Sequence, residues 1–530
     1  MNLRRLVTLC MTLVLLAACS KPATSTPAPT VMAPPTPTTI PPTPTPSPNE
    51  SPAWFRDAIL YEIVPRSFYD SNGDGVGDLP GITSKLDYIQ ALGANTLWLT
   101  PVFSATSSFG LDVMDYSALS PSLGTQDDLA NLIRQAHSRK MRVVMDLPVA
   151  YTSNEFAYFK DAYNKPASAY SDWYQWTNTA HTAYKSYANL RTLPLLNHKN
   201  VSVQSYLVQV AQTWLSAGVD GFRVSDADSV PHEFLKLFRQ AVKQANSGAV
   251  LLGEVWNNDP KKLAPYFLDE FDALSDAPLY YALAGSAERN GGGLLNGRNT
   301  PADLDVALST TTLYTPTAQL IRFAGSHNTN RIASLVSQNA ERERMAALLI
   351  LTLPGAPLIY YGDEIGMPGS LGSGASAEDY RRAPMDWTQF AKGAGTATWF
   401  KDVAKVNKPN DNISVEEQQN VKGSLWSFYK MLITQRKEHA ALRGDGFQTV
   451  ASPCRSCYAY LRWDANDFYL IAINFSDQTQ SVTLDLTKTP RNVSGPGEDL
   501  TRGGTVSLPS NGRYTLTMEA RDARFLHWGK

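Results

Sequence analysis

Cysteine is scarce in this 530-residue chain, with four in all, and no apolar run reaches the roughly 20 residues that a membrane-spanning helix needs. Charge of one sign is also missing. The 47 Lys and Arg nearly cancel the 49 Asp and Glu, leaving a net −2. No basic excess points to nucleic acid, and no acidic run suggests a solvating tail. Internal repeats of 20 to 50 residues are absent, which argues against a solenoid or propeller. What is present is 43% hydrophobic content over a length sufficient for one large domain and a smaller one, each with its own core. The 24 Tyr and 11 Trp suit large cores and carbohydrate stacking equally, so their number decides nothing.

The N-terminus reads as a leader over residues 1–18: Arg4 and Arg5 precede an apolar stretch from Leu6 to Ala18 that is too short to span a bilayer. It ends in Leu16-Ala17-Ala18-Cys19-Ser20, which resembles the lipobox of bacterial lipoproteins. That resemblance implies acylation of Cys19; the alternative is an ordinary leader with an incidental cysteine. Two or three acyl chains would anchor the chain stably, and Ser20 after the cysteine does not favour inner-membrane retention in a cell with two membranes. Residues 19–53 are dominated by Pro, Thr, Ser and Ala, a composition that cannot bury a core and extends as a stalk. The expected location is the cell surface. With Cys10 in the leader and Cys19 lipidated, Cys454 and Cys457 remain, and outside the cell a short-loop disulfide is expected there rather than a redox or zinc motif.

From Ile59 onward, short apolar runs alternate with helix-like stretches: Ile59 to Val64, Thr96 to Leu99, Arg142 to Leu147, Gly221 to Val224, Val250 to Val255, a weak one near Ala273, Leu320 to Ala324, and Leu358 to Tyr361. Eight such βα units predict a parallel (β/α)8 TIM barrel over residues 54–444. An irregular, aromatic-rich insertion of about residues 150–207 follows the third strand. Beyond residue 445 the pattern changes to alternating strands, which predicts a separate antiparallel β-sandwich over 445–530.

Several segments carry a resemblance. They are Ala58-Ile59-Leu60-Tyr61-Glu62-Ile63 with Arg66-Ser67-Phe68, Gly221-Phe222-Arg223-Val224-Ser225-Asp226, Gly253-Glu254-Val255-Trp256, Ser326-His327-Asn328, Leu353-Pro354-Gly355-Ala356-Pro357 and Arg382-Ala383-Pro384-Met385-Asp386-Trp387. Together they resemble the α-amylase family of retaining glycoside hydrolases, and the insertion resembles that family's B domain. The resemblance implies that Glu254 is the acid/base. It places Ser225 at the nucleophile position and Asn328 at the position of the third carboxylate, so both are substituted. Further departures are Ala150-Tyr151 for Asn-His, Leu111 for the sugar-stacking Tyr, Ser326 for Asn, and Leu195 for Asp. Asp112, Arg223, His327 and Arg331 remain as expected substrate contacts, and Phe103 and Tyr151 follow barrel strands on the face where sugar would lie.

A retaining glycosidase needs one carboxylic acid and a second carboxylate about 5 to 5.5 Å away. Strand alternation sends Ser225 to the side of Arg223 and Asp226 away from it, so Asp226 could serve as a displaced nucleophile only if the strand end were distorted. Otherwise it is solvated or paired with Arg223.

One further loop, Asp70-Ser71-Asn72-Gly73-Asp74-Gly75-Val76-Gly77-Asp78, sets oxygen donors at Asp70, Asn72, Asp74, Val76 and Asp78. That spacing wraps a hard cation, and it resembles the family's calcium loop, which implies structural Ca2+. An ion-free Asx-rich turn is the alternative. Three functional readings follow. The first is an anchored protein that binds an α-glucan or maltooligosaccharide with hydrolysis impaired. The second is an active hydrolase using Asp226, and the third, by fold-level analogy only, a scaffold for an unidentified protein partner.

Overall fold

A computed structural model describes residues 51–285, 293–309, 314, 318–370, 377–491 and 493–529. The expected leader, Cys19 and the stalk up to residue 50 lie outside the described residues.

Eight strands close a barrel: β1 (Leu60–Ile63), β2 (Thr96–Leu99), β3 (Arg142–Asp146), β4 (Gly221–Val224), β5 (Val250–Gly253), β6 (Ala273–Ser275), β7 (Gln319–Arg322) and β8 (Ala356–Tyr360). Every neighbouring pair is parallel, with Leu60 opposite Thr96, Gly221 opposite Val250 and Leu60 again opposite Leu358 where β1 meets β8. Helices outside and side chains inside cover both faces of these strands, so they are almost wholly buried and read as continuous apolar runs. The outer helices show the complementary stripe. In Gln126–Ser138, started by a capping box between Thr125 and Asp128, Leu129, Leu132, Ile133 and Ala136 face inward.

The insertion after β3 is irregular, and it ends at residue 200 rather than about 207. The reason is local: the Asn200 side chain accepts from the backbone N–H of Ser202 and Val203 and starts the helix Val201–Ser216 there. Most aromatic residues of the insertion pack together, Tyr158 lying edge-on to Trp173 at 4.9 Å and Trp173 against Tyr206 at 5.5 Å. Trp176 is partly exposed and stacks on His181.

The C-terminal unit holds β9 (Phe447–Val450), β10 (Cys457–Trp463), β11 (Phe468–Asn474), β12 (Gln480–Asp485), β13 (Gly495–Asp499), β14 (Thr505–Leu508), β15 (Arg513–Met518) and β16 (Ala523–Trp528). Six strands form one sheet in the order β9-β10-β11-β16-β13-β14, and β12 pairs with β15 in a second. The alternation of side chains along β10 and β11 explains the layering. Leu461 and Leu470 meet Val482, Leu484 and Leu516 of the small sheet, while Tyr460, Tyr469 and Ile471 face the core of the barrel. Arg436 and Arg462, both buried, seal this junction by donating to the carbonyls of Leu351, Leu442 and Thr352. Cys454 and Cys457 are joined by a disulfide at the entry to β10.

Candidate active site

The polar centre lies at the C-terminal ends of the barrel strands, where this architecture gathers its reactive groups. Asp146 ends β3, Arg223 sits within β4, and Glu254 follows Gly253, the last residue of β5. Gly253 is required by close approach, since a Cβ there would lie 2.6 to 2.9 Å from Leu274 and the Phe271 ring. Arg223 Nη1 donates to Asp146 Oδ2 at 3.0 Å and Trp98 Nε1 to Asp146 Oδ1 at 2.7 Å. The other guanidinium nitrogen, Nη2, forms an ion pair with Glu254 Oε1. Asn328 Nδ2 also donates to Glu254 Oε1, at 2.9 Å, and Arg382 Nη2 donates to Asn328 Oδ1 at 3.2 Å. Opposite them, His327 Nδ1 and Glu62 Oε1 share a hydrogen bond.

These contacts fix charge states. Burial pushes the Glu254 carboxyl up, but Arg223 above all, with His327 and Asn328, outweighs it and holds Glu254 below the usual carboxylate range. Glu254 is therefore ionised at neutral pH. A general acid needs the opposite shift. Burial raises Glu62 to about 8 and Asp146 to about 7, in each case against the Arg223 charge. His327 is lowered by burial and by the charges of Arg223 and Arg382.

Ser225 lies at the end of β4, 1% exposed, and its hydroxyl has no hydrogen-bond partner among the described residues. Asp226 departs from the expected course. Its φ of 49° is left-handed, and this turn, rather than a bulge, brings the residue back beside Glu254, its N–H 3.4 Å from Glu254 Oε2. The Asp226 carboxylate is neither solvated nor the partner of Arg223 in a hydrogen bond. It accepts from the Tyr151 hydroxyl at 2.6 Å and from the Tyr187 hydroxyl. Burial and the Glu254 charge raise Asp226, opposed by the two tyrosines and Arg223.

Four expected sugar contacts are held by protein partners in the structure. Phe103 is 1% exposed and packs on Tyr116 and Trp214 beneath the hairpin of Phe103–Ala105 and Val113–Leu119, so no sugar reaches it. Arg331 is fully buried, donates to the carbonyls of Tyr361 and Arg381, and lies over the rings of Tyr360 and Tyr361. Tyr151 is buried and acts through Asp226. Asp112 is held by the backbone N–H and hydroxyl of Ser107 in its own loop, so its carboxylate closes that loop. The cavity bordered by Trp98, Arg223, Glu254, Trp256 and His327 measures about 10 Å³. Room for about one water is far below the roughly 300 Å³ at which ligand pockets begin.

Sequence reasoning missed Trp98, Asp146, Tyr187 and the Arg381–Arg382 pair as parts of this network. Two charged residues within apolar barrel strands, Glu62 and Asp146, carried a readable signal, because such residues are buried only with partners. Nothing in the irregular insertion distinguishes Tyr187.

At residues 70–78 the donors also close the loop on itself. Asp70 accepts from the N–H of Gly73 and Gly75, Asn72 from Asp74 and Asp74 from Val76. Asp78 accepts from Ser71 and from Gly81 N–H, capping the helix Leu79–Ser84. The all-oxygen donor set fits a hard cation, since a carboxylate oxygen that accepts one N–H keeps a second lone pair.

A profile of the alpha amylase catalytic domain matches residues 62–445. Alpha-amylase 3 of Dictyoglomus thermophilum is 32% identical over 425 residues, covering 77% of this chain and 82% of its own. Glucan 1,6-alpha-glucosidase of Streptococcus pneumoniae is 28% identical over 82% of this chain and 93% of its own. Among solved structures, the alpha-amylase from H. orenii superposes with a TM-score of 0.75 at 28% identity, over 88% of this chain and 99% of the other. Closed parallel barrel, strand-end constellation and matching sequence lead to one conclusion: the chain belongs to the α-amylase family of glycoside hydrolases.

Proposed function

We propose that this protein is an anchored, extracytoplasmic member of its family that binds α-glucan chains without hydrolysing them by the retaining route. The observation that carries the reading is the pairing of Arg223 with Glu254 beside Ser225. A guanidinium that would serve a nucleophile pairs with the acid/base instead, and the nucleophile position itself is Ser225. The glucan ligand is supported by family membership and by relatives named for α-amylase and glucan 1,6-α-glucosidase activity. With so small an inner cavity, sugar rests on the rim, where Trp256 is partly exposed beside Glu254 and braced edge-on by Tyr280 and Phe323. Calorimetry is expected to show saturable binding of maltoheptaose, weakened about tenfold or more in Trp256→Ala, on the scale of one lost stacking contact. If wild type does not bind it, the scaffold reading gains and a pull-down for protein partners follows.

One observation favours a second reading, in which Asp226 is a displaced nucleophile: its left-handed turn sets it beside Glu254. Its two tyrosine donors weigh against this, because a nucleophile must be free to attack.

Anchoring rests on the lipobox and stalk; among the described residues no helix is long and apolar enough to cross a membrane. The protein should be found with membranes and be released into the soluble fraction by Cys19→Ser. Structural Ca2+ at residues 70–78 is proposed from the donor set. It should raise the thermal transition of chelator-treated protein by about 3 °C at a hundredfold excess over its dissociation constant, and Asp70→Asn should remove that rise. An equal rise in the variant would place the ion elsewhere.

A further inference from the structure

Outside the barrel centre, one cluster joins the two parts of the molecule. His439 caps the C-terminal end of the helix Leu425–Glu438, Asp467 lies in the turn between β10 and β11, and His527 is in β16. His439 Nδ1 is 3.0 Å from Asp467 Oδ2, and His527 Nε2 is 2.8 Å from Asp467 Oδ1. Two imidazoles thus converge on one carboxylate, with ring centres 4.9 Å apart and the three donor atoms within 4.8 Å of one another.

The geometry points to a divalent transition-metal site, best suited to Zn2+, that staples the C-terminal domain to the barrel. The donor set is two nitrogens and one oxygen without thiolate, which suits zinc with three protein ligands and a water. Bonds of about 2.0 to 2.1 Å in a tetrahedron set ligand atoms roughly 3.3 Å apart, so the two nitrogen–oxygen contacts of 3.0 and 2.8 Å open slightly while the wider separations, up to 4.8 Å, close onto the ion. Each ligand is already restrained. Asp467 N–H is bound to Asp464 Oδ1 within its turn, and His527 pairs with Tyr469 across the ladder and stacks on that ring at 4.3 Å. Tyr469 also meets the edge of the His439 ring. All three ligands are partly exposed, with side-chain accessibilities of 24%, 14% and 13%, leaving an entry path and space for the fourth ligand. Each imidazole binds the ion as the neutral ring, through the nitrogen that faces Asp467 and with its one proton on the other nitrogen; any second ring proton passes to solvent. Two neutral imidazoles and one carboxylate leave a net single positive charge on the ion. Without it, the contact consists of two partly exposed imidazole–carboxylate pairs.

The test uses the full chain, made without a polyhistidine tag and stripped with chelator. Titration with Zn2+ should show one ion per chain and raise the thermal transition by about 3 °C at a hundredfold excess over the dissociation constant. Co2+ in its place should give the intense visible bands of a tetrahedral site. His439→Gln and His527→Gln should each weaken binding at least tenfold and abolish the bands, while Asp70→Asn leaves both unchanged. His439→Gln sits at a helix end and keeps the test valid if the strand variant folds poorly. Absence of saturable Zn2+ binding, or binding that survives both histidine substitutions, would overturn the proposal.

Discussion

Arg223→Met is expected to destabilise the protein by about 3 to 5 kcal/mol in urea unfolding, a far larger effect than a surface substitution gives. The Arg223 side chain is 1% exposed and bridges Asp146 and Glu254, themselves buried, with Glu62 close enough to feel its charge. Removing it leaves Glu254 ionised in a dry site without its main counter-charge. The protein can relieve that by taking up a proton, because burial already pushes Glu254 upward and Arg223 is the largest of the groups that oppose this. The variant's deficit should therefore shrink as pH falls through the carboxylate range. Arg223→Lys should recover only part of the loss, since a single ammonium cannot span two carboxylates as a planar fork does. A change below about 1 kcal/mol in Arg223→Met would show that the network is not what holds this end of the barrel.

The barrel was largely legible because its strands are apolar runs bounded by polar turns, and parallel sheets bury both faces of such runs. All eight expected positions match within a few residues. Three C-terminal strands, Phe447–Val450, Gly495–Asp499 and Thr505–Leu508, were not legible, since they are short edge or near-edge segments with Gly, Pro and polar residues exposed along one side. At the site, alternation misplaces Asp226. Alternation holds only while the backbone stays extended, and the left-handed φ at Asp226 ends it one residue past the strand. Phe103 and Arg331 were misread for a different reason: position after a strand gives proximity to the site, not access to it. Which side chain fills the space, as Tyr151 and Tyr187 do over Asp226, depends on packing from an insertion with no periodicity.

Loss of a covalent nucleophile alone typically costs about four to six orders of magnitude in rate, or roughly 5.5 to 8 kcal/mol of barrier. Ser225 is a poor replacement, because its buried hydroxyl makes no hydrogen bond to a base among the described residues. The second loss, a charged stabiliser replaced by Asn328, does not simply add, since these groups act as a unit. The direct measurement is hydrolysis of maltoheptaose and of an aryl α-glucoside by wild type and Glu254→Gln, with a catalytically competent family member assayed alongside. The account predicts that wild type turns over at about 10⁻⁴ of the competent enzyme or less, with Glu254→Gln indistinguishable from it. Turnover within about a hundredfold of that enzyme, abolished by Glu254→Gln, would contradict it.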